Sequence, residues 1–517
     1  MSANPVNTQA AAAVAGLASS HGTPTQATAS AASAQGVSAG AGVSHVGGGS
    51  HVAASSPGVA IAHSMAAGVT DAQVGGVRVP AHERIVLPNG MTLIVMPRHD
   101  IPLVSFNAVL RGGESAAAPG KSGVASLVAG LLEKGAGKRD AFGFVDAVEG
   151  VGGTFNAAAG PESIAIRGQF LARDQQLMLE LLADALLRPR FKLEELENLR
   201  DRQIELIKAA KDSDPSELIG TYGRAYLFKG HPYARPVIGS ESSLAALTHR
   251  DIVDYYHTYF RADQLTLVVA GDVDSAWLKK AVAKAFSDWP RSTRPPVILP
   301  QPTRVRERSV LLVDSPGSVQ TYFWIGNVGV DRHYPNRAAL DLVNTLYGGR
   351  FTSILNTELR VKSGLSYGAR SGFTRGSVAG EFSIRSFAQT QDTGKALDLA
   401  LQTLEQLKHG AVTAEMLDSA RAYVLGQYPL DFETAMDWTV ALGEIELYGL
   451  GVGYIETYSA QLQSVTLPQM QAVIETAFPS PDAVAIVLIG DADVLRDQVG
   501  RYGPITEMPL TQPDFGH

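Results

Sequence analysis

Two side chains in the second half of the chain could act together as hydrogen-bond donors. Arg360 lies near the end of a segment, Phe351 to Lys362, in which apolar residues recur with helical spacing, and Tyr367 follows seven residues later. A guanidinium and a phenol hydroxyl can both stabilise negative charge that develops on an oxygen atom. The structural alternative is an arginine that is favourable to the dipole of a helix C-terminus, followed by a half-buried tyrosine in a strand. On the residues alone, this structural alternative is the stronger interpretation.

The segment around this pair reads as a helix followed by a strand. Ile354, Leu355 and Leu359 form an apolar stripe, and Gly364 is typical of a residue that ends a helix. The chain then enters a predicted strand through residues 365–368. The pair would therefore sit on either side of one helix-to-strand turn.

Composition excludes several classes of function. The 517 residues contain no cysteine, which rules out disulfides, thiolate metal sites and cysteine nucleophiles. The net charge of −8 and the lack of a basic stripe argue against a nucleic-acid partner. No stretch approaches the roughly 20 apolar residues of a membrane span. The 12 histidines are scattered, and none forms a paired helical motif.

The ordered part of the sequence is duplicated. A buried strand ending in Gly-Asp occurs at Leu265 to Asp274 and again at Ala483 to Asp493. Each copy follows an amphipathic helix, Thr248 to Phe260 and Thr466 to Phe478, and each helix opens with a threonine able to cap it. The copies lie about 220 residues apart, far longer than a solenoid repeat, so they indicate two homologous domains.

Composition also sets the expected domain boundaries. Residues 1–77 hold one charged residue, Asp71, among Ala, Gly, Ser, Thr and Val, and are predicted to be a disordered low-complexity leader. Residues 78–289 form the first α+β domain, residues 290–302 a proline-rich linker, and residues 303–517 the second domain. The fold class is therefore α+β, with an antiparallel-rich sheet in each domain and helices packed on one face.

The order and the amino-acid sequences of several short segments resemble the pitrilysin/insulinase family of zinc metallopeptidases. The resemblance is to its short bacterial members and the mitochondrial processing peptidases in particular. The resemblance runs from Arg84 to about residue 500 and implies half of a clam-shell. It is carried by Arg111-Gly112-Gly113-Glu114-Ser115, Gly123 to Gly135, Gly152 to Ala157, His231-Pro232-Tyr233, Gly239, Ala270-Gly271-Asp272 and Glu358 to Tyr367.

The resemblance implies a zinc site that this sequence lacks. Active members carry His-x-x-Glu-His on the helix after the Arg-Gly-Gly-Glu-Ser segment: two histidines bind zinc, and the Glu is the general base. A further Glu from a downstream helix completes the ligand set. The corresponding positions here are Ser126, Ala129, Gly130 and Ile207. Glu205 is near the last of these, but it is turned about 200° away on a helix. We expect no metal in this chain.

The same resemblance assigns roles to other residues. It implies that Arg360 and Tyr367 reach the substrate at the zinc of a partner chain. It also implies that the edge strand that follows the segment Gly152 to Ala157 receives a peptide as an added strand, with Gly153, Thr154 and Asn156 contacting the peptide. For these three residues, a turn that feeds an edge strand is an equally good interpretation.

The leading hypothesis is a zinc-less subunit, inactive alone, of a heterodimeric metalloendopeptidase. Its partner would be a homologous subunit that holds the zinc, and this chain would supply Arg360 and Tyr367 to peptide hydrolysis. The alternatives are a non-proteolytic structural scaffold and a peptide-binding protein of the same fold. We expect a periplasmic location because short bacterial members are often exported, with a cytoplasmic location as the alternative.

Overall fold

The structure, a computed structural model, describes residues 76–410 and 412–516. The predicted leader, residues 1–77, therefore lies outside the described residues except for its last two positions. No helix in the described part of the chain is long and apolar enough to cross a membrane.

The first half of the described chain forms a six-stranded sheet, a short hairpin and eight helices. Its strands are β1 (Glu83–Val86), β2 (Thr92–Pro97), β3 (Leu103–Arg111), β4 (Gly135–Ala136), β5 (Arg139–Asp140), β6 (Thr154–Ala159), β7 (Ser163–Leu171) and β8 (Leu265–Gly271). Its helices are α1 (Val124–Leu131), α2 (Ala141–Glu149), α3 (Gln175–Leu187), α4 (Leu193–Ser213), α5 (Ile219–Leu227), α6 (Glu241–Ala245), α7 (His249–Tyr259) and α8 (Ser275–Ala285).

The second half forms another six-stranded sheet. Its strands are β9 (Ser309–Asp314), β10 (Gln320–Val328), β11 (Ala369–Phe373), β12 (Glu381–Gln389), β13 (Ala485–Gly490) and β14 (Ile505–Pro509). Its helices are α9 (Arg337–Asn344), α10 (Ile354–Asn356), α11 (Thr393–His409), α12 (Ala414–Gln427), α13 (Ala435–Tyr448), α14 (Gly453–Glu456), α15 (Tyr458–Ser464), α16 (Leu467–Ala477) and α17 (Ala492–Val499). Two wider π-helical turns, Thr345–Gly349 and Thr357–Lys362, follow α9 and α10.

The two sheets confirm the predicted α+β class and the duplication. The first has the strand order β1-β2-β8-β3-β7-β6, and the second, read from its other edge, the order β14-β9-β13-β10-β12-β11. In each sheet the strand ending in Gly-Asp pairs parallel with one neighbour and antiparallel with the other. The sheets differ at one edge, where β1 is antiparallel to β2 but β14 is parallel to β9.

The two threonines predicted to open equivalent helices occupy the N-cap positions of α7 and α16. The Thr248 N–H donates to Asp251 Oδ2 at 2.8 Å before α7, and the Thr466 N–H donates to Gln469 Oε1 at 2.8 Å before α16. The Asp251 and Gln469 side chains thus accept backbone N–H groups that the helices leave without a partner, and the Asp251 N–H donates in return to Thr248 Oγ1 at 3.3 Å.

Each sheet is covered on its second face by a helix from the other half of the chain. Helices α1, α3 and α8 pack on the first sheet as the sequence predicts, but α13 packs against β3 and β8 on the opposite face. Reciprocally, α5 from the first half packs against β10 and β13 of the second sheet. The central strands are buried on both sides, which explains why they are apolar in almost every position.

Both exchanged helices approach their sheet through a glycine. A Cβ atom on Gly223 of α5 would lie 2.6 Å from the indole of Trp324, and one on Gly443 of α13 would lie 2.8 Å from Asn107 Nδ2. Only a residue without a side chain fits at these crossings. The Asn107 amide also donates to the carbonyl oxygen of Thr439 in α13, at 3.2 Å.

Candidate functional site

Helix α1 is held at its start by a buried carboxylate. Gly123, the residue before the helix, has a positive φ of 91°, and its N–H donates to Glu114 Oε1 at 3.1 Å. Burial raises the pKa of Glu114 well above its usual range, and the backbone N–H groups of Gly123 and Ala125 oppose that effect. The Arg-Gly-Gly-Glu segment thus fixes the helix on which the family's zinc ligands would stand.

The three positions of α1 that correspond to zinc-site residues are packed against protein. Ser126 Oγ accepts a long hydrogen bond of 3.4 Å from the Gln203 side-chain amide on α4. Ala129 is 1% exposed. A Cβ atom on Gly130 would lie 2.8 Å from Leu199 Cδ2, so the leucine side chain fills the space that a second histidine would need.

The fourth position is also apolar. Ile207 of α4 is buried, whereas Glu205 is exposed and pairs with Lys208 at 3.0 Å. The carboxylate nearest in sequence therefore points to solvent, as the helical spacing predicts. Among the described residues there is no group of three or more His, Asp or Glu side chains that could hold a metal ion. The residues present do not fit a zinc ion.

One ionisable residue near these α1 positions was not predicted from the sequence to be part of the site. Glu133 follows the last turn of α1, and its carboxylate accepts a hydrogen bond from the backbone N–H of Ala157 on β6. Burial raises the pKa of Glu133 from 4.5 to about 7, opposed by the Ala157 hydrogen bond and by Lys134. Its spacing of three and seven residues from Gly130 and Ser126 could have revealed that it shares their helix face.

The predicted peptide-receiving segment lies at an edge of the first sheet. The strand begins at Thr154 itself rather than after Ala157, and β6 is the outermost strand beside β7. The side chains of Thr154 and Asn156 are exposed, although Thr154 Oγ1 accepts the Gln169 N–H at 3.1 Å.

Gly153 has a packing role that is visible without any ligand. A Cβ atom at this position would lie 2.6 Å from the ring of Phe170. The glycine therefore lets the chain pass over a buried aromatic ring just before the strand begins.

Arg360 lies in the π-helical turn rather than in a regular α-helix. The helix begins at Ile354, after its N-cap Ser353, and the Ser363 N–H donates to the Glu358 carbonyl oxygen at 3.1 Å, five residues back. The guanidinium carbon of Arg360 lies 4.9 Å from the ring centroid of Phe351, itself 63% exposed. That distance is within the range of a cation–π contact.

Tyr367 lies in the turn before β11 and not in the strand itself. Its side chain is 79% exposed, so the alternative of a half-buried strand tyrosine is wrong. Its ring stacks on Phe387 of β12, with centroids 6.4 Å apart and planes inclined by 24°. Gly364 has a φ of +66° and ends the helix as the sequence predicts.

The Arg360 and Tyr367 pair and the α1 positions that correspond to zinc ligands do not contact each other in the structure. Arg360 and Tyr367 lie beside the second sheet, whereas Ser126, Ala129 and Gly130 belong to α1 on the first. Within the described residues, no hydrogen bond, ion pair or ring contact links Arg360 to Tyr367, and none links either of them to α1.

Two family sequence models match the chain. The one described as Insulinase (Peptidase family M16) matches residues 101–241, and the one described as Peptidase M16 inactive domain matches residues 246–424. Together they cover more than half of the sequence. The chain belongs to peptidase family M16.

Curated relatives agree over most of the chain. A protein of Mycobacterium leprae named as an uncharacterized zinc protease is 26% identical over 394 residues, which are 75% of this chain and 88% of the relative. A protein of Helicobacter pylori named as a non-peptidase homolog is 22% identical over 386 residues, 74% of this chain and 88% of the relative. The relatives' names thus include both proteases and a non-peptidase.

Solved structures share the fold. A peptidase M16 inactive domain from Pseudomonas fluorescens superposes with a TM-score of 0.74 at 23% identity, covering 80% of this chain and 98% of that one. A protease from Helicobacter pylori superposes with a TM-score of 0.73 at 20% identity, covering 80% and 100%. With the inactive-domain match and the side chains found on α1 and α4, the chain is an M16 protein of the non-catalytic kind.

Proposed function

We propose that this chain is the zinc-less subunit of a two-chain M16 peptidase. It would pair with a homologous subunit that holds the zinc and would supply Arg360 and Tyr367 to the shared site. The observation that carries the proposal is a contrast within one chain. The positions for metal carry Ser, Ala, Gly and Ile, while two hydrogen-bond donors remain exposed and make only ring contacts within the described residues.

The exposed pair suits an accessory role in peptide hydrolysis. Arg360 has no ion pair or hydrogen bond within the described residues, and its recorded contact is the Phe351 ring. Tyr367 has a ring contact with Phe387, and no hydrogen bond to its hydroxyl group is formed by any other residue that the structure describes. Both donors are therefore available to an incoming group.

The chemistry assigned to each residue follows from its functional group. In the partner, zinc would polarise the scissile carbonyl and activate water. The Tyr367 hydroxyl would donate to the carbonyl oxygen as negative charge develops on it, and the Arg360 guanidinium would hold an adjacent backbone carbonyl. Neither residue would transfer a proton or bind metal.

Reconstitution with a zinc-bearing homologue from the same source tests the proposal. We expect the pair to cleave a fluorogenic peptide and each subunit alone to be inactive. Tyr367→Phe should lower kcat of the complex by about a hundredfold to a thousandfold, the range found for loss of one oxyanion donor, and Arg360→Ala should lower kcat/KM. Two matched controls are Tyr226→Phe, at a tyrosine whose hydroxyl has no hydrogen-bond partner in the described part of the chain, and Arg202→Ala, at an exposed arginine of α4.

Two results would reject this function. One is a zinc-bearing homologue that cleaves peptides equally well without this chain. The other is a complex whose rate is unchanged by both Tyr367→Phe and Arg360→Ala. The proposal includes a periplasmic location, which rests on the resemblance alone, and fractionation of the native cells tests it separately.

A further inference from the structure

Strand β6 has a row of backbone groups that point away from its sheet. The Gly160 N–H donates to the Ser163 carbonyl oxygen at 2.7 Å, which fixes which residue pairs of the β6–β7 ladder are hydrogen bonded. Because such pairs alternate in an antiparallel ladder, Asn156 bonds to Arg167, whereas Phe155, Ala157 and Ala159 turn their backbone groups outward. These outward groups are the ones to which an added strand would bond.

One of these outward groups is already occupied by the chain itself. The Ala157 N–H donates to the Glu133 carboxylate, which reaches the sheet edge from the end of α1. Within the described residues, Phe155 N–H and Ala159 N–H have no recorded partner. The strand edge is thus occupied only at Ala157, the middle one of the three outward positions.

We propose that Glu133 is a built-in stopper of the β6 edge. Its carboxylate oxygen takes the hydrogen-bonding position that the carbonyl oxygen of an added peptide strand would take at Ala157. A peptide in extended conformation must displace it before the edge can be used over its full length. This inference rests on the proposed function only in that the displacing strand is a peptide.

The surroundings of Glu133 make the stopper displaceable. The carboxylate forms no ion pair within the described residues, and Lys134 is the charged neighbour that acts on it. It is buried without a counterion, so the carboxylate gives up little electrostatic stabilisation when it leaves its site. Within the described residues its hydrogen bond from the Ala157 N–H is the contact that an added strand must replace.

Hydrogen exchange and peptide binding together test the stopper in the full chain. Glu133→Ala removes the acceptor, Glu133→Gln keeps a neutral acceptor of the same length, and Glu149→Ala changes an exposed carboxylate on α2 as a control. Without peptide, Glu133→Ala should speed exchange of the Ala157 amide by tenfold or more. Glu133→Gln should restore at least part of the protection, and Glu149→Ala should match the unchanged chain.

The second readout uses a fluorescein-labelled decapeptide of neutral residues, followed by anisotropy. Glu133→Ala should bind it about tenfold more tightly than the unchanged chain, with Glu133→Gln between the two. Equal exchange in the Glu133→Ala and unchanged chains overturns the stopper. Faster exchange with unchanged or weaker peptide affinity overturns the competition with peptide. Neither result depends on Tyr367 or on a zinc-bearing partner, so failure here is distinct from failure of the proposed function.

Discussion

Gly223 on α5 lies directly over the indole of Trp324 on β10, in the half of the chain to which α5 does not belong. A methyl group at this glycine would sit 2.6 Å from the ring, which is fully buried. A substitution at this contact therefore tests how much the packing between the two halves contributes to stability.

Replacing this glycine should destabilise the whole fold. We expect Gly223→Ala to lower the free energy of unfolding by about 1–3 kcal/mol, as overpacking of a close-packed core does. Gly426→Ala on α12 is the control, because no atom of the described residues outside its own helix and chain neighbours lies within 4 Å of a Cβ there. That change should be neutral or stabilising by up to about 1 kcal/mol. Urea unfolding measures both, and equal stability of the two variants would contradict the packing argument.

Phe351 should matter to catalysis through Arg360. Removing the ring by Phe351→Ala releases the guanidinium from its cation–π contact, which contributes about 0.5–1 kcal/mol at an exposed site. We expect kcat/KM of the reconstituted complex to fall about twofold to fivefold. Phe142→Ala, which removes an 80% exposed phenylalanine on α2, is the control. Phe351→Ala should have no further effect in an Arg360→Ala background, and additive losses would contradict a positioning role.

Glu133 should make the stability of the protein depend on pH near neutrality. Because burial raises its pKa from 4.5 to about 7, the folded chain favours the protonated form. The contribution of this group to stability is therefore largest below about pH 4.5 and falls as the pH rises to 7, by about 3 kcal/mol in all.

The variant Glu133→Gln isolates that dependence. It should gain stability relative to the unchanged chain as the pH increases from 5 to 8, because the amide has no proton to lose. Urea unfolding at both pH values, with Glu149→Ala beside it, measures the difference. A constant difference between Glu133→Gln and the unchanged chain across this range would mean that Glu133 titrates normally.

Restoring the family's zinc ligands should fail until Leu199 is shortened. Ser126→His, Ala129→Glu, Gly130→His and Ile207→Glu supply the missing side chains, but the second histidine would meet Leu199. We expect the fourfold variant to hold far less than one zinc per chain by elemental analysis, and addition of Leu199→Ala to raise the content towards one. Leu193→Ala, at an exposed position of the same helix, is the control. Stoichiometric zinc in the unchanged chain would contradict the non-catalytic assignment.

The strands were the most predictable part of the fold. Leu265–Gly271 and Ala485–Gly490 are continuous apolar runs because both of their faces are covered, and each ends in Gly-Asp. The exchange of α5 and α13 could not be predicted, since an apolar helix face does not encode which of two similar sheets it will cover. The π-helical turn was missed because the apolar spacing does not distinguish it from a regular helix; it shows in the Ser363 N–H bond to the Glu358 carbonyl oxygen, five residues back.

The properties of the candidate site that could be predicted are those that depend on residue identity alone. The residue types at Ser126, Ala129 and Gly130 are enough to predict the loss of the metal ligands. The contacts of Arg360 with Phe351 and of Tyr367 with Phe387 depend on side-chain packing around a turn and on a neighbouring strand. The hydrogen bond from the Ala157 N–H to the Glu133 carboxylate joins residues of two different elements. The distance between these elements is set by the tertiary fold, so no local sequence pattern predicts this bond.

The exchange of helices also constrains how the chain can be made. Strand β8 is complete when residue 271 has left the ribosome, but α13, which covers the face bearing Val268 and Ala270, ends only at Tyr448. A nascent chain therefore carries an uncovered apolar sheet face through the synthesis of more than 170 further residues. A fragment that ends at the proline-rich linker has the same exposed face permanently. Either half expressed alone should need its missing helix, supplied as a separate peptide, to remain soluble.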